Sequence, residues 1–169
     1  MRCFVAISLP SSPLLAKVKE ECTGMGRQVE SKNLHLTLKF LGELSGVDSL
    51  RRSLGEIRQS SFTVTLMGLG AFPNQRRARV LFARAGPEKN LNELAREVDE
   101  KTKEVPLDHP FTPHITILRS KGGRDFTEVI ARYRDVIFLE HEVRYFSLYE
   151  SILKPTGPIY NEIERYQLM

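Results

Sequence analysis

Apolar and polar positions alternate with a period of two over some stretches of this chain and with a period near 3.6 over others. Strands and helices are therefore expected to interleave along it. Strand readings cover Val5–Leu9, Leu34–Leu41 (closed by Gly42), Phe62–Leu69, Arg79–Arg84, Thr112–Leu118 and Ile159–Gln167. Arg79–Arg84 should return beside Phe62–Leu69 across a Pro-Asn loop. Val136–Ile152 reads as one long or bulged strand, broken near His141. Helical spacing marks Ser11–Cys22, with Leu14, Leu15 and Val18 as its stripe, and Val47–Arg58, with Leu50, Leu54 and Ile57. It also marks Leu91–Lys103, with Leu91, Leu94, Ala95 and Val98, and Phe126–Arg134. Ser11 or Ser12 can cap the first helix, Pro13 suits its first turn, and Gly24 and Gly26 end it. No linker or low-complexity segment divides the 169 residues. The pattern predicts an α+β fold with mostly antiparallel strands, in one domain spanning 1–169.

Two of the strand readings say nearly the same thing. His35-Leu36-Thr37-Leu38 recurs in the second half as His114-Ile115-Thr116-Ile117. Side chains at i and i+2 of a strand share a face, so each strand presents an imidazole and a hydroxyl together. Leu36, Leu38, Ile115 and Ile117 then point into the core. The bland alternative is a pair of half-buried strands whose His and Thr merely tile a surface. If the two strands face one another, they line a site with two proton-transfer groups and two neutral donors. Those are the parts needed to cleave a phosphate ester without a metal.

Composition narrows the setting. Hydrophobic content of 41% and charged content of 27% are ordinary for a soluble globular protein. No apolar stretch is long enough to span a membrane. The N-terminal one, Cys3–Leu9, is too short for a signal peptide and is cut off by Pro10 and Pro13, so a cytoplasmic location is expected. Cys3 and Cys22 give no disulfide framework and read as reduced packing residues. Four histidines and two scattered cysteines make a poor metal kit. Pro110 and Pro113 separate His109 from His114 and prevent a helical zinc spacing, and His141 sits between two glutamates. Neither metal nor cofactor is expected. The net charge of +4 is modest. Arg76, Arg77, Arg79 and Arg84, however, lie between Phe72 and Gly86 with no acidic residue among them. Such a patch suits a polyanion such as RNA, although a solvated hairpin tip would look the same.

The flanks of the two motifs carry a resemblance. Asn33-Leu34-His35-Leu36-Thr37-Leu38-Lys39-Phe40-Leu41-Gly42-Glu43 resembles the first signature block of the two-histidine (2H) phosphoesterases. The closer likeness is to their RNA 2′,3′-cyclic phosphodiesterase branch, historically called 2′-5′ RNA ligases. Pro113-His114-Ile115-Thr116-Ile117-Leu118-Arg119 resembles the second block, including the arginine five residues after the histidine. Arg2–Ile7 is similar to the first strand of that branch. Gly68–Asn74 with Arg79–Phe82 resembles its central hairpin, and Lys154–Tyr160 its last turn and strand. One departure is the lack of any tryptophan, where relatives often carry one near Phe82; packing or base stacking should feel this, not the reaction. The resemblance implies two pseudo-symmetric lobes, each with a sheet and outer helices, the motifs facing across a cleft.

It also implies a division of labour. His35 would be the acid protonating O3′ of the cyclic phosphate and His114 the base activating water, leaving a 2′-phosphate. Histidine, with an ordinary pKa of about 6.5, suits either role near neutral pH. Thr37 and Thr116 would hold the non-bridging oxygens, where charge must be stabilised. Arg119 adds a charged contact if a bulge or strand end brings it to the histidine face, since its odd offset from His114 points it away in a flat strand. Arg76, Arg77 and Arg79 are candidate RNA contacts. The expected partner is RNA with a 2′,3′-cyclic phosphate end, tRNA fragments among its sources, met by a monomer away from any membrane. The same residues allow 2′-5′ joining by the reverse reaction. A non-catalytic RNA-binding module is the remaining class, and paired imidazoles argue against it, because binding alone calls for arginine or lysine.

Overall fold

The computed structural model describes residues 1–169. Nine strands are β1 (Arg2–Ser8), β2 (Arg27–Gln28), β3 (His35–Glu43), β4 (Phe62–Phe72), β5 (Ala78–Gly86), β6 (His114–Arg124), β7 (Ile137–Val143), β8 (Tyr145–Lys154) and β9 (Gly157–Gln167). Four α-helices are α1 (Pro13–Glu21), α2 (Asp48–Leu54), α3 (Glu88–Lys101) and α4 (Thr127–Arg132). A 3₁₀ turn at Ser31–Asn33 leads into β3. None of these helices is long and apolar enough to cross a membrane.

The strands form two antiparallel sheets, ordered β3-β1-β8-β9 and β2-β6-β5-β4-β7. The fold is thus α+β, as expected. With β2 set aside, the two orders correspond: β3 with β6, β1 with β5, β8 with β4, β9 with β7. Each motif strand therefore sits beside an equivalent inner strand. β3 and β6 lie near one another, so the two motifs meet where the sheets approach. A single apolar cluster of 37 residues runs through both sheets.

Several readings shift in detail. Ser12 is the cap of α1: its Oγ accepts from the Leu15 N–H at 3.4 Å and donates to the Phe138 carbonyl of β7 at 2.6 Å. Leu14, expected on the buried stripe, is exposed, while Leu15 and Val18 are buried. The long run Val136–Ile152 breaks at Arg144 rather than near His141, and its halves β7 and β8 belong to different sheets. The short β2, pairing Arg27 with Arg119, has no periodicity to betray it.

Both motif strands bulge at the same place. Val5 of β1 pairs with Lys39 and Ala6 with Thr37, leaving Leu38 extra. Leu81 of β5 pairs with Leu118 and Phe82 with Thr116, leaving Ile117 extra. An extra residue breaks the two-residue alternation. Accordingly Leu38 and Lys39 are both buried, as are Ile117 and Leu118. The residues after them, Phe40 and Arg119, are thereby turned back to the face that carries His and Thr.

Candidate active site

The alternation of β3 and β6 buries Leu36, Leu38, Ile115 and Ile117 and leaves His35, Thr37, His114 and Thr116 half-buried on the opposite face. These four side chains line one cleft of about 520 Å³. Arg119 lines it with them, as the bulge at Ile117 requires.

The two imidazoles are held in the same way. Nδ1 of His35 lies 2.6 Å from the Asn33 carbonyl oxygen, and Nδ1 of His114 lies 2.6 Å from that of Thr112. A carbonyl can only accept, so each Nδ1 carries the proton and donates it. In both rings Nε2 is then the free nitrogen: a base when the ring is neutral, an acid when it is charged.

Aromatic rings fix the imidazole planes. Phe4 of β1 and Tyr160 of β9 stand 5.2 and 5.1 Å from His35. Phe72 of β4 and Phe82 of β5 stand 5.2 and 5.3 Å from His114, and stack on each other at 4.4 Å. Phe82 can lie there because its neighbour across the ladder is Gly70. A Cβ at Gly70 would fall 2.5 Å from the Phe82 ring, closer than side chains approach. These walls come from four separate strands, and alternation along any one strand does not show that they meet the histidines.

Burial holds both histidines below the usual imidazole pKa. The backbone hydrogen bonds oppose this, while the Arg119 guanidinium reinforces it at both rings. His114 adds like-charge repulsion at His35, and His109 adds it at His114. The free cleft therefore favours neutral imidazoles and offers a cation, a setting that an anion would complement.

The loop between α3 and β6 forms the remaining wall, from Leu107 to Thr112. His109 stands in it, its Nδ1 2.6 Å from Oδ1 of Asp108. Lys39, turned inward by the bulge at Leu38, anchors the start of this loop. Its Nζ donates to Asp99 Oδ1 at 2.7 Å, to Thr102 Oγ1 at 3.0 Å, and to the carbonyls of Thr102 and Val105 at 3.1 and 2.5 Å. No three His, Cys, Asp or Glu side chains converge into a metal-holding group.

The basic hairpin residues do not join the lining. Arg76 and Arg77 sit at the tip, where both backbone N–H groups donate to Asn74 Oδ1 at 3.1 and 3.0 Å. Arg79 is exposed on β5, and Arg84 is drawn back by a bond from its Nε to the Leu69 carbonyl at 3.1 Å. Phe72 and Val80 of the same hairpin do reach the cleft, so the arginines share a hairpin with part of its wall.

Comparison with known proteins gives the family. The family model of the 2′-5′ RNA ligase superfamily matches residues 12–153. The RNA 2′,3′-cyclic phosphodiesterase of Archaeoglobus fulgidus is 37% identical over 99% of this chain and 100% of its own. That of Methanocaldococcus jannaschii is 35% identical over 98% and 100%. Among solved structures, TT0787 of Thermus thermophilus superposes with a TM-score of 0.79 at 33% identity, covering 99% of this chain and 97% of that one. Escherichia coli LigT complexed with 3′-AMP gives 0.77 at 30% identity, covering 99% and 98%. With a family model matching most of its length and full-length relatives above 30% identity, the chain belongs to the 2′-5′ RNA ligase superfamily.

Proposed function

We propose that this protein hydrolyses the 2′,3′-cyclic phosphodiester at the end of RNA, leaving a 2′-phosphate and a free 3′-hydroxyl. The observation that carries the reading is the matched pair of imidazoles in one cleft, each tied at Nδ1 and free at Nε2. Its full-length relatives named for this activity support it. In the reaction, neutral His114 takes a proton from water at Nε2 as the water oxygen bonds to phosphorus. The P–O3′ bond breaks, and protonated His35 gives its Nε2 proton to O3′. Thr37 and Thr116 donate to the non-bridging oxygens, and Arg119 balances their charge. Solvent then restores both histidines.

Beyond the cleft, we assign Arg76, Arg77 and Arg79 to long-range capture of the RNA body, given their exposure on a hairpin that supplies part of the cleft wall. The working unit in this reading is a cytoplasmic monomer, one bilobal domain of residues 1–169, with tRNA fragments among its substrates. The superfamily's ligase description supports a second reading, 2′-5′ joining through the reverse of the same steps.

A cyclic-phosphate-ended oligonucleotide tests the proposal. Turnover to a 2′-phosphate end that survives exhaustive chelation with EDTA is expected. Loss of activity that added Zn²⁺, Mg²⁺ or Mn²⁺ restores would overturn the two-histidine mechanism. RNA bound without turnover would leave a binding module.

A further inference from the structure

A second groove, of about 780 Å³, opens from the cleft on the His35 side. It shares His35, Phe40, Asp108, His109, Tyr160 and Arg119 with the cleft but includes neither His114 nor either motif threonine. Arg2 stands in its wall, at the start of β1. The carboxylate opposite Arg2 on the ladder, Glu43, faces the amino terminus at 3.5 Å. Arg2 and Arg119 line this groove together with Tyr160, and both pull down a phenol pKa that burial raises. Around them the groove leaves apolar surface in water: Phe40 is 42% exposed and Leu153 74%.

The pseudo-symmetry shows that Arg2 is particular to one lobe. Phe4 pairs with Phe40 and Val80 with Arg119 across the equivalent ladders. Two residues back along each inner strand lie Arg2 in one lobe and Ala78 in the other, and Ala78 is 0% exposed. The lobe carrying His35 therefore presents an arginine at the groove where the lobe carrying His114 has a buried alanine. Two imidazole sites that match in detail are made unequal by what lies beyond them.

We propose that this groove holds the nucleotide immediately 5′ of the cyclic end, with Arg2 meeting the phosphodiester that joins it to the terminal ribose. This rests on the phosphodiesterase reading. There O3′ must reach Nε2 of His35, so the terminal ribose lies on the His35 side and its 5′ chain leaves by that side. Phe40 and Leu153 supply faces on which a sugar or base packs, and aromatic faces accept any base. The protein is thus built for polynucleotide ends, and a cyclic mononucleotide uses the cleft alone.

The test compares a cyclic-ended trinucleotide with a 2′,3′-cyclic mononucleotide on the intact protein. Arg2→Gln and Leu153→Ser, neither in contact with the reacting atoms, are expected to lower kcat/KM for the trinucleotide by roughly tenfold each, through KM. Cyclic mononucleotide turnover should not change, and Arg2→Gln should reduce the salt slope of trinucleotide binding by about one. Equal losses on both substrates would overturn the proposal, since Arg2 would then act through the fold. So would trinucleotide kinetics left unchanged by Arg2→Gln and Leu153→Ser, whatever neutralising Arg76, Arg77 and Arg79 does to longer RNA. Wild-type protein that turns over neither substrate would sink the phosphodiesterase reading itself, and the groove's assignment with it.

Discussion

Lys39 reaches Asp99 at 2.7 Å from a side chain that is 1% exposed, joining the first motif strand to the end of α3. The equivalent position in the second motif is Leu118, so a charge is buried on one side of the pseudo-twofold where the other has hydrocarbon. The lysine also satisfies the last carbonyls of α3 and its loop, a favourable place for a cation at a helix C-terminus. That loop ends at Thr112, whose carbonyl orients His114.

Lys39→Met keeps the stem but leaves Asp99 and two carbonyls without their donor. Asp99 is 40% exposed and can rehydrate, so the loss should fall at the low end for a broken buried pair, about 3 kcal/mol. For a chain of this length that corresponds to a fall in Tm of roughly 6–12 °C. Thermal unfolding measures it. A change below about 1 kcal/mol would mean that the loop does not depend on this anchor.

Arg119 should set the pH at which the site works. The productive form has His35 protonated and His114 neutral, and it is most abundant between the two pKa values. Both values are held down, first by burial and then by Arg119. The kcat/KM optimum is therefore expected on the acid side of the ordinary imidazole value. Arg119→Met removes a cation that disfavours each imidazolium, so both pKa values rise and the bell moves to higher pH. KM should rise by about 10–100-fold with loss of a charged contact. A bell that stays in place, or moves to lower pH, would show that Arg119 does not act on the histidines.

Much of this site is legible in the sequence because its elements are periodic. His35-x-Thr37 and His114-x-Thr116 sit on strands whose alternation fixes which face they share, and the buried leucines and isoleucines between them follow. Arg119 is harder: a flat strand aims it away, and the bulge that redirects it leaves no mark at Ile117 that alternation can read. Phe4, Phe72, Phe82 and Tyr160 reach the histidines through strand order, which is a long-range property. The break at Arg144 escapes for a similar reason. Two consecutive strands look like one when each alternates, whichever sheet they join.

Neutralising Arg76, Arg77 and Arg79 together tests their role in capture. These side chains are outside the cleft lining, so their attraction works over distance and is screened by salt. Binding of a long oligonucleotide should weaken and its salt dependence flatten, by up to about three in slope if all three neutralise phosphates. Cyclic mononucleotide turnover reports whether the cleft is intact. An unchanged slope would place the RNA body elsewhere.

The assignment of acid and base can be decided by the leaving group. His35→Ala and His114→Ala should each lower kcat by roughly 10²–10⁴ on a cyclic phosphate, and Thr37 or Thr116 changes by somewhat less. Circular dichroism should report an intact fold, since both imidazoles are half-buried on the cleft face and their apolar neighbours remain. The acid matters in proportion to how badly the departing oxygen needs a proton. A nitrophenyl phosphodiester accepted in the same cleft leaves without one. It should restore much of the rate to His35→Ala and little to His114→Ala, whose water still lacks a base. Rescue of His114→Ala alone would exchange the two roles. Near-wild-type turnover of the cyclic phosphate by either variant would show that the matched imidazoles are not the centre of the reaction.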